Sequence, residues 1–162
     1  MEIRKTLPEE LAELEALYAS ARAFMARSGN PTQWGRTEPP TATLKEDIAK
    51  GQSYVCVEGG EIVGTFCFFV GEEPTYLHPI AGAWLNDAPY GVIHRVASAG
   101  TVKGVTAACV DWCWRQWPNL RIDTHDDNAP MQRAILRCGF TEVGRIRVAD
   151  GSERRAYHKV ER

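Results

Sequence analysis

Leu120 to Phe140 reads LRIDTHDDNAPMQRAILRCGF. Leu120 to Thr124 is a short strand, and HDDNAP is a helix start. Asn128 is a good N-cap, Pro130 sits in the first turn, and Asp126 and Asp127 complement the positive end of the helix. Met131, Ala134, Ile135 and Cys138 form the buried stripe of that helix, and Gly139 is its C-cap glycine. A strand feeding a capped helix in this way belongs to an α/β arrangement.

The stretch upstream extends the pattern. Gly91 to Thr106 is GVIHRVASAGTVKGVT, with a strand at Val92 to Ala97 and then a turn of small residues. Val105 to Trp117 follows as a helix that is apolar around most of its circumference, as a helix buried on several sides must be. Pro118 and Asn119 end it. Downstream, Thr141 to Val148 and Arg154 to Val160 form a terminal hairpin across ADGS.

Nearer the N-terminus, Glu2 to Lys5 is a short first strand, and Thr6 to Glu9 has capping-box spacing. Leu7, Leu11, Leu14, Leu17, Tyr18, Ala21, Phe24 and Met25 then recur at helical spacing until Gly29 and Pro31 stop them. Thr43 to Lys50 is a second short helix, ended by Gly51. Ser53 to Val57 and Ile62 to Val70 form a hairpin across EGGE. Pro74 to Asp87 is ambiguous, with GAWLNDAPYG readable as a strand interrupted by a loop. The order is β-α-α-β-β-β-β-α-β-α-β-β, without repeat or linker, and residues 1–162 are expected to form one domain.

Bulk properties narrow the class. A net charge of −2, with 25% charged residues, argues against a nucleic-acid partner. No apolar run approaches a membrane span, and the first residues lack the apolar stretch of a signal peptide. Five cysteines in a chain of this size read as reduced thiols of a cytoplasmic protein. Cys109 and Cys113 lie four apart with no second ligand pair, so they read as core thiols, and the scattered histidines form no metal constellation.

The element order, the LRIDTHDDNAPMQRAILRCGF segment and GVIHRVASAGTVKGVT together resemble the GNAT superfamily of N-acetyltransferases. The resemblance covers nearly the whole chain. It implies a single α/β (α+β) domain with a central mixed, mostly antiparallel twisted sheet of about six to seven strands, flanked by about four helices. It also implies acetyl-CoA as acetyl donor with no metal, and a primary amine of a small molecule or peptide as acceptor, attacking directly in a ternary complex. Monomers and homodimers both fit it.

The same resemblance distributes roles over this sequence. Val96, Ala97 and Ser98 would meet the pantetheine and acetyl group. Lys103, Gly104, Val105 and Thr106, at a helix N-terminus with free N–H groups, would hold the pyrophosphate. Asn128 would bind cofactor, cap its helix, or do both, and Met131 would lie on the pantetheine arm or in the core. His94 is the candidate base, as the one group on the central strand that titrates near neutral pH, or else a histidine packed on a neighbour. Trp34, Trp84 and Tyr90 are the aromatic candidates for the acceptor pocket.

Two departures from the family pattern stand out. Thr101 and Thr106 occupy positions where Arg or Gln, and Gly or Ala, are usual. Ile135 replaces the tyrosine that often protonates the leaving thiolate, leaving Cys138 and Tyr157 as substitutes. That replacement keeps open a second reading, a non-catalytic acyl-CoA-binding sensor or interaction domain. A nucleotide-phosphate enzyme fits less well, because KGVT lacks P-loop spacing.

Overall fold

A computed structural model describes residues 1–161. Eight strands form one sheet: β1 (Glu2–Lys5), β2 (Ser53–Glu58), β3 (Glu61–Val70), β4 (Ala81–Gly82), β5 (Gly91–Ser98), β6 (Asn119–Thr124), β7 (Thr141–Arg147) and β8 (Glu153–Val160). Their spatial order is β1-β2-β3-β5-β6-β8-β7-β4. Every neighbouring pair is antiparallel except β5 and β6. Four α-helices accompany it: α1 (Leu11–Arg27), α2 (Thr41–Ala49), α3 (Val105–Gln116) and α4 (Ala129–Arg137).

The element order is the expected one, and the sheet holds eight strands rather than six or seven. The eighth is β4, two residues beside β7 at the sheet edge, within the Pro74 to Asp87 stretch whose reading the sequence leaves open. It is too short to carry a pattern of its own. The Ser53–Glu58 hairpin closes on Gly59 and Gly60, both at positive φ (58° and 81°), as a tight twisted turn requires.

One local expectation fails. The Thr6 hydroxyl does not cap a helix; it lies 2.7 Å from the Ser53 hydroxyl, tying β1 to β2. The chain enters α1 one residue later, through a 3-10 turn at Pro8–Glu10. Glu10 rather than Glu9 reaches back, accepting from the Leu7 N–H at 2.7 Å and from both terminal nitrogens of Arg4. The salt link to Arg4 selects Glu10, and its carboxyl sits below its ordinary range chiefly because of that hydrogen bond.

Side chains alternate across the sheet and divide the core. Cys56 faces the cluster that α3 and α4 cover, with Ile93, Val105, Cys109, Leu120, Ile135 and Tyr157. Its neighbour Val55 faces the opposite cluster, under α1 and α2, with Leu14, Tyr18, Leu44 and Ala97. Further along that second face, Tyr76, Tyr90, Val92, Ile146 and Ala156 pack around the loop before β5. Gly64 lets the start of α3 settle onto the sheet: a Cβ there would lie 2.5 Å from Val105 Cγ1.

Candidate active-site cleft

The cleft begins as a failure of two strands to stay together. Parallel pairing of β5 and β6 is confined to Gly91 with Leu120 and Val92 with Arg121. Beyond Val92 the strands diverge, leaving the β6-facing edge of β5 unpaired. On its other edge β5 stays with β3, but with an added residue. Between Cys67↔His94 and Thr65↔Ala97 the β5 chain advances three positions while β3 advances two. This is a β-bulge, and such bulges re-aim a strand.

Arg95 is the bulged residue, at φ 54°. Left-handed backbone costs a non-glycine residue about 1–2 kcal/mol, and three contacts hold it there. Its Nε and Nη2 donate to the two carboxylate oxygens of Asp47 in α2, each at 2.9 Å. Its carbonyl accepts from the Tyr18 hydroxyl of α1 at 2.7 Å. Helices α1 and α2 thus set the bend that opens the sheet.

Two cavities flank the divergence. The first, of about 410 Å³, lies on the α1/α2 face and is bounded by Trp34, Glu73, His94, Asp123 and Arg154. His94 Nε2 is 2.7 Å from Glu73 Oε1. Burial alone would raise the Glu73 carboxyl, but the His94 hydrogen bond and charge, with the Thr75 N–H, bring it below its ordinary value. It is therefore an anion that only accepts, so Nε2 carries the shared proton. The Tyr76 ring packs 6.0 Å from that of His94, and its hydroxyl donates to Asp123 Oδ2 at 2.6 Å.

The second cavity, of about 520 Å³, runs between α1, the end of β5 and α4. Val96, Ala97, Ser98, Thr106, Asn128 and Met131 bound it. Met25, Val96, Asn128 and Met131 line both cavities, so the two meet at the divergence. At its α3 end Gly104 takes φ 80° just before the helix, with open space where a Cβ would be. The first N–H groups of α3 lack intrahelical partners, and Thr106 of that turn lines the cavity. Lys103, Gly104 and Val105 line neither cavity: Lys103 and Gly104 are exposed, and the Val105 side chain is buried over Gly64. An unpaired strand edge, a groove and an open helix N-terminus in line suit a long ligand with amides at one end and phosphates at the other.

Among the expected site residues, His94, Val96, Ala97, Ser98, Thr106, Asn128, Met131 and Trp34 all come to this cleft. Trp34 is held there edge-on to Tyr18, centroids 5.4 Å apart. Trp84 and Tyr90 do not reach it. They clamp the Arg121 guanidinium, which lies 4.3 Å from the Trp84 ring and 3.8 Å from the Tyr90 ring. Stacking on a buried arginine takes both faces out of play as a binding wall. Asn128 spends its amide internally: Oδ1 accepts from the Met131 N–H at 3.2 Å and Nδ2 donates to Gln33 Oε1 at 3.0 Å.

The position of the missing tyrosine is also revised. Ile135 is wholly buried against Tyr157 and Phe140, and α4 turns Pro130, Met131 and Ala134 to the groove instead. Tyr157 is itself wholly buried, with burial pushing it up to about 12, and neither it nor Cys138 lines either cavity. Glu73, Asp123, Arg154 and Gln33 went unread in the sequence. Each lies on a loop or at a strand end where no motif marks it, and only the divergence of β5 from β6 brings them together. Among the described residues, no three His, Cys, Asp or Glu side chains are grouped to hold a metal ion, and no helix is long and apolar enough to cross a membrane.

No protein-family model matches the chain, and no curated protein matches its sequence. Solved structures do match. An acetyltransferase of the GNAT family from Streptococcus agalactiae superposes with a TM-score of 0.90 at 27% identity, over 99% of this chain and 95% of that one. A GNAT-family acetyltransferase from Listeria monocytogenes gives 0.69 at 17% identity, over 98% and 93%. A Salmonella typhimurium protein solved with its cofactor acetyl-CoA gives 0.65 at 14%, over 99% and 94%. The chain has the fold of the GNAT acetyltransferases.

Proposed function

We propose that this chain moves an acetyl group from acetyl-CoA to a primary amine by direct attack in a ternary complex, as one cytoplasmic domain. The observation that carries this reading is the meeting of the two cavities at Val96, beside the His94–Glu73 pair. A donor in one cavity and an acceptor in the other would touch there.

The residues divide the work. The unpaired edge of β5 at Val96, Ala97 and Ser98 pairs with the pantetheine amides, since free backbone groups require partners. The α3 N-terminus, with Gly104, Val105 and Thr106, holds the pyrophosphate, and Lys103 adds charge. Met131 packs on the arm. Asn128 contributes by position, capping α4 and holding Gln33 across the cleft mouth. Trp34 is an apolar wall of the acceptor cavity.

Acetyl-CoA supplies a thioester, whose sulfur leaves as a tolerable thiolate. His94 takes the ammonium proton through Nδ1, while Glu73 holds Nε2–H and so fixes the tautomer. A backbone N–H of β5 near Val96 faces the developing oxyanion. Because α4 turns only Pro130, Met131 and Ala134 to the groove, water rather than an α4 side chain protonates the thiolate.

Acetyl-CoA incubated with a panel of amines, with released thiol as the signal, tests the proposal. Thiol release that depends on the amine is the expected result. Binding of CoA with no release for any amine would favour the sensor reading, and absence of CoA binding would overturn both.

A further inference from the structure

Among the other charged groups that line the acceptor cavity, Asp123 and Arg154 each lack an ion-pair partner. Asp123 accepts from the Tyr76 hydroxyl, and no cationic side chain lies within 4.0 Å of it among the described residues. Arg154 is only 6% exposed. Its Nη1 donates to Ser152 Oγ at 2.7 Å and to the Glu153 carbonyl at 3.1 Å, and its Nη2 to the Gln33 carbonyl at 3.3 Å. All three acceptors are neutral, and no carboxylate is within 4.0 Å among the described residues; Asp150, which accepts from the Ser152 hydroxyl at 2.6 Å, feels the Arg154 charge without bonding to it. A buried guanidinium without a carboxylate is unusual, because burying an unpaired charge is costly. Arg95 pairs with Asp47, and Arg145 and Arg155 with Asp126; Arg121, also buried without a carboxylate, is enclosed by the Trp84 and Tyr90 rings, an enclosure that Arg154 lacks.

Register makes the separation pointed. Asp123 stands opposite Ala156, so Arg154, two residues away on β8, is its diagonal neighbour on the same face of the sheet. Diagonal Cβ atoms lie about 7–8 Å apart, within reach of a long side chain. Arg154 nevertheless turns to Gln33 and Ser152, leaving an anion and a cation apart in one cavity of about 410 Å³.

We infer that the acceptor is a free amino acid or close analogue: a small amine with an anionic group near it, whose carboxylate Arg154 receives and whose ammonium faces Asp123 and His94. The pair would hold the ligand at both ends, with His94 beside the nitrogen. A peptide N-terminus carries no such anion and leaves Arg154 unmatched. The inference rests on the acetyl-transfer reading of the same cleft.

The test compares proteinogenic L-amino acids, each beside its carboxamide, as acceptors for the wild-type protein. The best amino acid is expected to exceed its carboxamide by about 100-fold in kcat/KM, since a site built for a charged group rejects the analogue lacking it. Arg154→Gln should abolish that preference by raising KM for the amino acid, with KM for acetyl-CoA unchanged, and Arg154→Lys should restore part of it. Carboxamides or simple amines used as well as every amino acid by the wild type would overturn the inference, even if Arg154→Gln fails to fold. If no amine releases thiol, the acetyl-transfer reading falls, and calorimetric titration of the same pairs into the CoA-loaded protein decides the second question. Binding of the amino acid but not its carboxamide would uphold the anion site; equal or absent binding of both would overturn it.

Discussion

Arg95 and Asp47 are joined by two parallel hydrogen bonds of 2.9 Å, and through them α2 holds the one non-glycine residue at positive φ among the described residues. Asp47→Ala should lower stability by about 2 kcal/mol, since it leaves a largely covered guanidinium unpaired. In a chain of this size that is a fall in Tm of about 4–8 °C. Arg95→Ala and Arg95→Gly both lose the ion pair, but only glycine accepts the bulge freely. Arg95→Gly should therefore be the more stable of the two by about 1 kcal/mol in urea denaturation. Equal stabilities would mean that the backbone there is not strained.

His94→Gln should lower kcat by about 10²–10⁴-fold with little change in KM for acetyl-CoA, as expected for loss of a general base. Glu73→Gln should have a smaller effect on kcat, because a carboxamide no longer dictates which ring nitrogen carries the proton. Steady-state kinetics with both substrates varied checks this. A His94→Gln enzyme with wild-type kcat would remove the base from the scheme.

His158 gives the fold an acid-sensitive point. It is wholly buried, accepting from the Leu85 N–H at Nδ1 and donating from Nε2 to Asn119 Oδ1. Burial pushes its pKa down to about 4, and the Arg121 charge adds to the effect. An unfolded histidine titrates near 6.5. Between those values the unfolded chain binds a proton that the folded one refuses. Stability from this group is complete above pH 6.5 and declines by about 3 kcal/mol as the pH falls to 4. Denaturant midpoints measured across this range should show the decline, and His158→Gln should flatten it.

Ile135→Tyr is expected to damage rather than restore. The side chain sits in the packed core beside Ile122, Phe140 and Tyr157, so a larger ring with a hydroxyl costs about 1–3 kcal/mol. Tm should fall and kcat should not rise. A faster enzyme with unchanged Tm would show that α4 can turn this residue to the groove.

At the start of α3, Lys103→Ala should raise KM for acetyl-CoA about three- to five-fold at low salt, and the difference should vanish near 0.5 M salt because an exposed charge is screened. Gly104→Ala should cost about 1 kcal/mol in stability for the left-handed backbone alone. Fluorescence melts and KM measurements at two ionic strengths separate the two effects.

The elements were largely legible in the sequence because each carries its own local signal. Asn128 caps α4 as its position indicates, and Gly59–Gly60 makes the hairpin. The opening of the sheet was not legible, since neither the two-pair limit on β5 and β6 nor the bulge at Arg95 has a local motif; the bulged residue is held by Asp47 of α2, remote in sequence. The same remoteness hid Glu73 and Arg154. Trp84 and Tyr90 looked like acceptor-pocket aromatics, yet nothing nearby in sequence marks Arg121 as the group they enclose.

The parting of β5 from β6 makes room without removing side-chain volume. Apolar clusters on both faces remain filled, and what the molecule forgoes is backbone pairing along one strand edge. Such an edge resembles an unfinished sheet, which a ligand with amides of its own would complete. Occupancy would then knit the two four-stranded halves together, so that the ligand acts as a missing strand for the protein that holds it.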